Sequence, residues 1–152
     1  MMADWHLSNQ VEAVAAACGL ATVELDVRRD DVHLGLHPAG QVVPRIDVRV
    51  HQWTDDEVHG DLYLCPLPSA AFVRLRQPDV TVPRYLVVWR PLTEGDRDRP
   101  MDIQRLEGRN LGVYAQLTSH PQPADPAQHT AVEVALTAVL TGTVLRNLVL
   151  SQ

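Results

Sequence analysis

Lysine is absent from this sequence: all 13 basic residues are arginine, set against 19 acidic ones, for a net charge of −6. Every cation is therefore a permanently charged planar fork, suited to two-point contacts with carboxylate or phosphate, and chemistry that needs a lysine amine is excluded. The acidic balance argues against broad, sequence-independent binding of nucleic acid unless the arginines collect on one face. Cysteine is scarce. Cys18 lies in an apolar helical stretch and Cys65 in a strand, far apart and without C-x-x-C spacing, so buried reduced thiols and no disulfide are expected. No apolar run reaches the roughly 18 to 20 residues of a membrane helix, and the amino terminus lacks a basic start followed by an apolar signal stretch. The expectation is a cytoplasmic protein without membrane contact. Dinucleotide-binding, P-loop, zincin and nucleophile-elbow patterns are missing as well, and no cofactor is expected.

What is present fits one domain over residues 1–152, since 152 residues at 45% hydrophobic and 21% charged bury a sizeable core. Val11, Val14, Ala15 and Cys18 at helical spacing predict a helix from about Ala3 to Cys18, ended by Gly19. Short alternating segments at Ala21 to Val27, Val32 to His37, Pro44 to Trp53 and Asp61 to Cys65 read as an antiparallel meander. Pro68 and Ser69 open a short helix, and Tyr85 to Trp89, apolar at every position, reads as a central strand covered on both faces. Residues 91–100 are charged, hold Gly95 and end in proline at both sides, so a mobile loop is expected. Strands are expected near Met101 to Leu106 and Leu111 to Leu117, then an extended connector over His120 to Gln128. For Thr130 to Val149 a single long helix competes with a strand followed by a helix; alternating Val132, Val134 and Leu136 and the break at Gly142 favour the second.

The run Ile46-Asp47-Val48-Arg49-Val50-His51 carries the chemistry. Strand alternation puts Asp47, Arg49 and His51 on one face and Ile46, Val48 and Val50 on the other. One strand earlier, Asp31, His33 and His37 share a face opposite Val32, Leu34 and Leu36. A hairpin across residues 38–43 brings these polar faces together, with His33 within about one register step of Asp47. The bland reading of this patch is an ordinary outward-facing ladder of polar residues, each pair adding a fraction of a kcal/mol. The aromatic residues Trp5, Trp53, Trp89, Tyr63, Tyr85 and Tyr114 read mainly as core, Trp53 excepted.

The order A-V-A-A-A-C-G, R-D-D-V-H-L, P-R-I-D-V-R-V-H, V-P-R-Y-L-V-V-W and N-L-G-V-Y-A-Q-L spans nearly the whole chain. It resembles an uncharacterised bacterial branch of the restriction-endonuclease-like PD-(D/E)xK superfamily. That branch reads D-x-x-x-(I/V)-D-(L/Y) in its first motif and P-R-(I/L)-D-x-Q-x-K in its second. The resemblance implies a mixed α/β sheet flanked by helices, with two carboxylates on adjacent strands holding Mg²⁺ and a lysine orienting water. Asp47 matches the second-motif acid. The first-motif acid falls on His33, the Gln position on Arg49 and the Lys position on His51, while Asp31 lies two residues from the missing acid. Imidazoles are poor magnesium ligands and a guanidinium repels the ion, so Asp47, His51, Asp31 and His33 read as a vestigial site without a metal. His51 acting as general base is the chemical route that would keep activity.

The resulting expectation is a catalytically degenerate nuclease-fold protein, not an enzyme, that acts as a binding or structural subunit in a bacterial anti-phage or mobile-element conflict system. Two alternatives stand beside it: an active metal-dependent nuclease with an altered His/Asp site, and a small inhibitor or immunity protein. A protein partner or self-association is expected, through Arg74 and Arg76 on the exposed side of the short helix. Nucleic acid is expected only within a larger assembly.

Overall fold

The structure, a computed structural model, describes residues 2–78, 81–97, 99, 101–121 and 129–152, with the backbone alone for 2–6 and 97. Helix α1 (Met2–Ala17) precedes strand β1 (Leu20–Glu24), and Gly19 at φ 79° makes the turn between them. A single helical turn, α2 (Val27–Asp30), comes next, then β2 (Leu34–Pro38) and β3 (Ile46–Gln52). After a 3-10 turn at Asp55–Glu57 come β4 (Val58–His59), β5 (Leu62–Pro68), α3 (Ser69–Leu75) and β6 (Arg84–Trp89). The chain closes with α4 (Glu94–Arg97), α5 (Ile103–Leu106), β7 (Gly112–Ala115), β8 (His129–Ala135), β9 (Val139–Leu140) and α6 (Gly142–Leu150).

Six strands form one mixed sheet in the order β1-β2-β3-β6-β7-β9, and β4-β5-β8 form a second, smaller one. Within the large sheet only β3 and β6 run parallel, with Asp47 opposite Arg84 and Gln52 opposite Trp89. A parallel pair needs a long crossover. Here the crossover is β4, β5 and α3, and it lies over the face of the sheet opposite α1 and α6. Side chains alternate accordingly. Ile46, Val48, Val50, Tyr85, Val87 and Trp89 pack with α1 and α6, whereas Leu86 and Val88 pack with Tyr63, Cys65, Phe72 and Val132 of the second layer. Burial of β6 on both faces, expected from its uninterrupted apolar run, is thus met by a three-layer arrangement.

The helix from about Ala3 to Cys18, the short helix after Pro68 and the strand-then-helix reading of 130–149 agree with α1, α3, β8 and α6. Four expectations need correction. Val27 belongs to α2, because the Asp26 carboxylate accepts from Arg28 N at 3.0 Å and caps a helical turn there. The segment near Asp61 to Cys65 is not part of a meander with the earlier strands. As β5 it pairs with β8 from Leu62↔Ala135 to Pro68↔His129, a partnership across some seventy positions that local pattern does not reveal. Its Pro66 and Pro68 are tolerated because β4 pairs only with Leu62 and Tyr63, which leaves one edge of that stretch open.

Residues 101–106 are not a strand either. Asp102 accepts from Arg105 N at 2.9 Å and caps α5, and Ile103 and Leu106 at helical spacing turn inward. The charged segment before it is anchored rather than loose over its described residues. Asp96 is nearly buried and takes hydrogen bonds from Thr93, Arg105 and Arg109, and the Arg109 bond holds its carboxyl far below the ordinary range against the opposing effect of burial. Leu92 is buried too, and its N–H donates at 2.8 Å to Gln10 Oε1, which also accepts from Trp89 Nε1 at 3.0 Å. Residues 98 and 100 and most of the expected 120–128 connector, from 122 on, lie outside the described residues. Cys18 and Cys65 are free and buried.

Gly112 holds β7 against β6. Its φ is 132°, and a Cβ there would sit 1.8 Å from Val88 O. Gly112→Ala should therefore cost more than about 3 kcal/mol in chemical denaturation, with Gly40→Ala, at φ 80° in open space, costing about 1 to 2 kcal/mol. Equal losses would show that the close approach at Gly112 is not limiting.

Candidate functional site

The polar stripe lies where strand alternation puts it. Asp47, Arg49 and His51 alternate with buried Ile46, Val48 and Val50 on β3 and face the second layer, half-buried beside Arg84, Leu86 and Val88 of β6. The preceding strand departs from the expected pattern. Asp31 ends α2 with φ 64°, a left-handed conformation that Asp tolerates, and the alternation restarts after it. Val32 consequently packs with Leu86 and Val88 in the second layer, while Leu34 and Leu36 pack with α1 and α6. Asp31, His33 and His37 thus do not form one face opposite all three apolar residues.

The hairpin register sets Gly35, not His33, opposite Asp47. His33 lies two residues further on, beyond the last pair Leu34↔Val48 and outside the expected single register step, with its N–H donating to Val48 O at 2.8 Å. Its Nδ1 accepts from Val50 N at 2.9 Å, so that lone pair is spent on the backbone. Absence of a side chain at Gly35 leaves room for a charge pair. Arg45 Nε donates to Asp47 Oδ1 at 2.8 Å, and a Cβ on Gly35 would come within 2.8 Å of that same Nε.

Arg49 reaches toward Asp31, and its Nη1 donates to the Asp31 main-chain carbonyl at 3.1 Å rather than to the carboxylate. Burial pulls the guanidinium below its ordinary range, countered in part by the Asp31 charge. The buried Asp31 carboxylate is gripped by Arg74, through Nε to one oxygen and Nη2 to the other at 3.1 Å. Arg84 extends this cluster, donating to the Arg74 carbonyl. Arg76 donates from Nε to His120 O at 2.9 Å and lies over the Phe72 ring at 5.9 Å. Arg74 is on the exposed side of α3, yet both arginines are committed within the chain.

His51 turns away from Asp47. Its Nε2 lies 2.7 Å from Glu57 Oε1, the same oxygen that accepts from Tyr63 OH, and Tyr63 OH in turn accepts from Thr54 N at 3.1 Å. Burial raises the Glu57 carboxyl, but the bonds from Tyr63 and His51 outweigh it and hold the group below its ordinary value. Burial, then the bond to Glu57, push the Tyr63 phenol up to about 12. Burial likewise pushes the Cys65 thiol up to about 12, the state of an unreactive thiol. Glu57 and Arg45 were missed in the sequence, although the acidic run after Trp53 marked the place of the first and P-R-I-D that of the second.

These residues do not fit magnesium. Asp47 offers a carboxylate already paired to Arg45, Asp31 one already held by Arg74, and His33 a ring whose Nδ1 is engaged. Among the described residues no three His, Cys, Asp or Glu side chains converge in a way that would hold a metal ion. A cleft of about 350 Å³ opens beside Asp47, lined by Arg29, Asp30, Arg45 and Arg84 among others. No family model, curated protein or solved structure matches the chain.

The Asp31–Arg74 pair makes α3 a strut across the polar stripe. Arg74→Glu with Arg76→Glu leaves a buried carboxylate facing a like charge and should lower stability by at least about 2 kcal/mol, below the 3 to 5 of a fully buried pair because Arg74 is half exposed. Urea unfolding of the double variant checks this; an unchanged midpoint would mean that the pair holds nothing in place.

Proposed function

We propose that the chain is a non-hydrolytic binding subunit built on a restriction-endonuclease-like sheet, in which arginine has taken over the carboxylates that would hold a metal. The observation that carries this reading is the pairing of Asp47, the one acid that matches the family pattern, with Arg45 at 2.8 Å. The mixed sheet with helices on one face, and the matching acid on a strand beside its centre, support this reading, while the other face departs from it in carrying a second small sheet together with α3. Hydrolysis through an altered His/Asp site has less support. A general base at His51 would have to serve water near Asp47, and its Nε2 is turned to Glu57 instead.

Partner choice follows from charge. An acidic domain gains little from counterion release on DNA, so the reading favours association with protein or with itself, nucleic acid being met only within an assembly. Arg74 keeps half of its side chain in solvent and stays within the proposed surface, with Arg76 beside it. The exposed Val42 and Val43 at the β2–β3 tip add an apolar element. No helix among the described residues is long and apolar enough to cross a membrane. A cytoplasmic subunit of a bacterial anti-phage or mobile-element conflict system is the setting we assign. An inhibitor or immunity role has no observation that favours it over this one.

Incubation of the purified chain with single- and double-stranded DNA and RNA in Mg²⁺ or Mn²⁺ tests the reading. Product formation is expected to equal that of an Asp47→Ala control. Cleavage that the substitution abolishes would establish the active-nuclease alternative.

A further inference from the structure

A second cleft, separate from the Asp47 patch, opens where the parallel strands end. β3 and β6 run side by side, and the residues just past their carboxyl ends, Trp53 and Arg90, border a cleft of about 460 Å³. Crevices beyond the carboxyl ends of parallel strands are the common ligand sites of open α/β sheets. Both backbones are fixed there: Trp53 N donates to Trp89 O and Arg90 N to Leu111 O, each at 2.8 Å.

The side chains divide by chemistry. Val58, Val113 and Leu136 supply an apolar lining. Arg90 lies over the Trp53 ring, its guanidinium carbon 3.9 Å from the centroid, and Trp53 is itself held by contact with Tyr63 at 4.7 Å and by Nε1 donation to Asp55 Oδ1 at 3.0 Å. Stacking of this kind fixes a guanidinium without neutralising it. Arg90 forms no ion pair among the described residues, and its Nε is buried without a hydrogen-bond partner. Asn110 spends its oxygen on Gly112 N at 2.9 Å, so its amide nitrogen remains a donor at the same cleft.

Two fixed donors above an apolar lining select a carboxylate on a hydrophobic body. The Asp55 charge on the same rim disfavours a second anionic charge, and with it phosphate esters and dicarboxylates. We propose that this cleft binds a small monocarboxylic acid with a branched or aromatic apolar body, its carboxylate on Arg90 and Asn110 and its body on Val58, Val113 and Leu136. The proposal is independent of the reading given to the Asp47 patch. The same chemistry is offered by the free carboxyl end of a peptide with an apolar last residue, so both sources enter the test.

Isotope-labelled full chain is titrated with isocaproate, isocaproamide and acetate while the Trp53 indole N–H, the Asn110 side-chain amide and the Val113 amide are followed by NMR. Isocaproate is expected to shift all three saturably, with the amide and acetate at least about tenfold weaker because each lacks one half of the recognition. Arg90→Gln should weaken isocaproate by about tenfold or more, and Arg90→Lys, which keeps the charge but not the fork, by less. If Arg90→Gln does not fold, the acid-against-amide comparison on the unaltered chain decides alone. A leucine-ended peptide that binds more tightly than isocaproate, and loses this on carboxyl amidation, makes the chain end the source; weaker binding makes it the free acid. Equal binding of acid and amide, absence of saturable shifts, or shifts centred on Arg45 and Arg84 would overturn the proposal.

Discussion

The parallel pairing of β3 with β6 positions both the Asp47 stripe and the cleft bordered by Trp53 and Arg90. Two adjacent parallel strands oblige the chain to cross from the end of one to the start of the other, and here it does so through β4, β5 and α3. That crossover becomes the second layer, packed on Leu86 and Val88 through Tyr63, Cys65 and Phe72. It also leans over the polar face of β3. Residues that would be solvent-exposed on a bare sheet are therefore half-buried and must find partners within the fold.

Arginine answers that requirement, and the lack of lysine is consistent with the geometry. Arg74 reaches two oxygens of Asp31 at once, Arg49 spans from a strand to a carbonyl, and Arg45 lies along the sheet above Gly35 to meet Asp47. The two-point grip of Arg74 on Asp31 is the contact for which a planar fork is better shaped than a single ammonium. Asp96 with Arg105 and Arg109 repeats the device beyond the end of β6, tying the segment that follows it to α5 and the turn beyond. The outcome is a set of charges compensated locally, with Arg90 held instead by an aromatic ring.

Legibility in the sequence tracked the range of the interactions involved. The alternation of Ile46 to His51, the fully apolar Tyr85 to Trp89 and the helical spacing of Val11, Val14 and Cys18 are local patterns, and the elements they imply are present. The β5–β8 partnership and the second sheet depend on residues some seventy positions apart, for which no short-range signal exists. At 101–106 the hydrophobic pattern suited a strand, and the Asp102 cap decided for a helical turn. Within the candidate site, the face shared by Asp47, Arg49 and His51 was readable from period alone. The left-handed Asp31 was not, and it shifts Val32 to the second layer and the carboxylate toward Arg74. His51 pairs with Glu57 because the chain turns back after Trp53, a loop geometry beyond the reach of strand periodicity.

We propose that guanidinium groups, not a metal ion, complete the carboxylates of Asp47 on β3 and of Asp31 beside it. Titration of the isotope-labelled chain with Mn²⁺ tests it most directly, because paramagnetic broadening reports the ion's position residue by residue. The amide signals of Gly35, Asp47 and Val48 are expected to persist with the rest of the central sheet at metal concentrations that broaden signals near exposed carboxylates. Selective loss of those three signals, abolished by Asp47→Asn, would place a metal at the stripe and contradict the account.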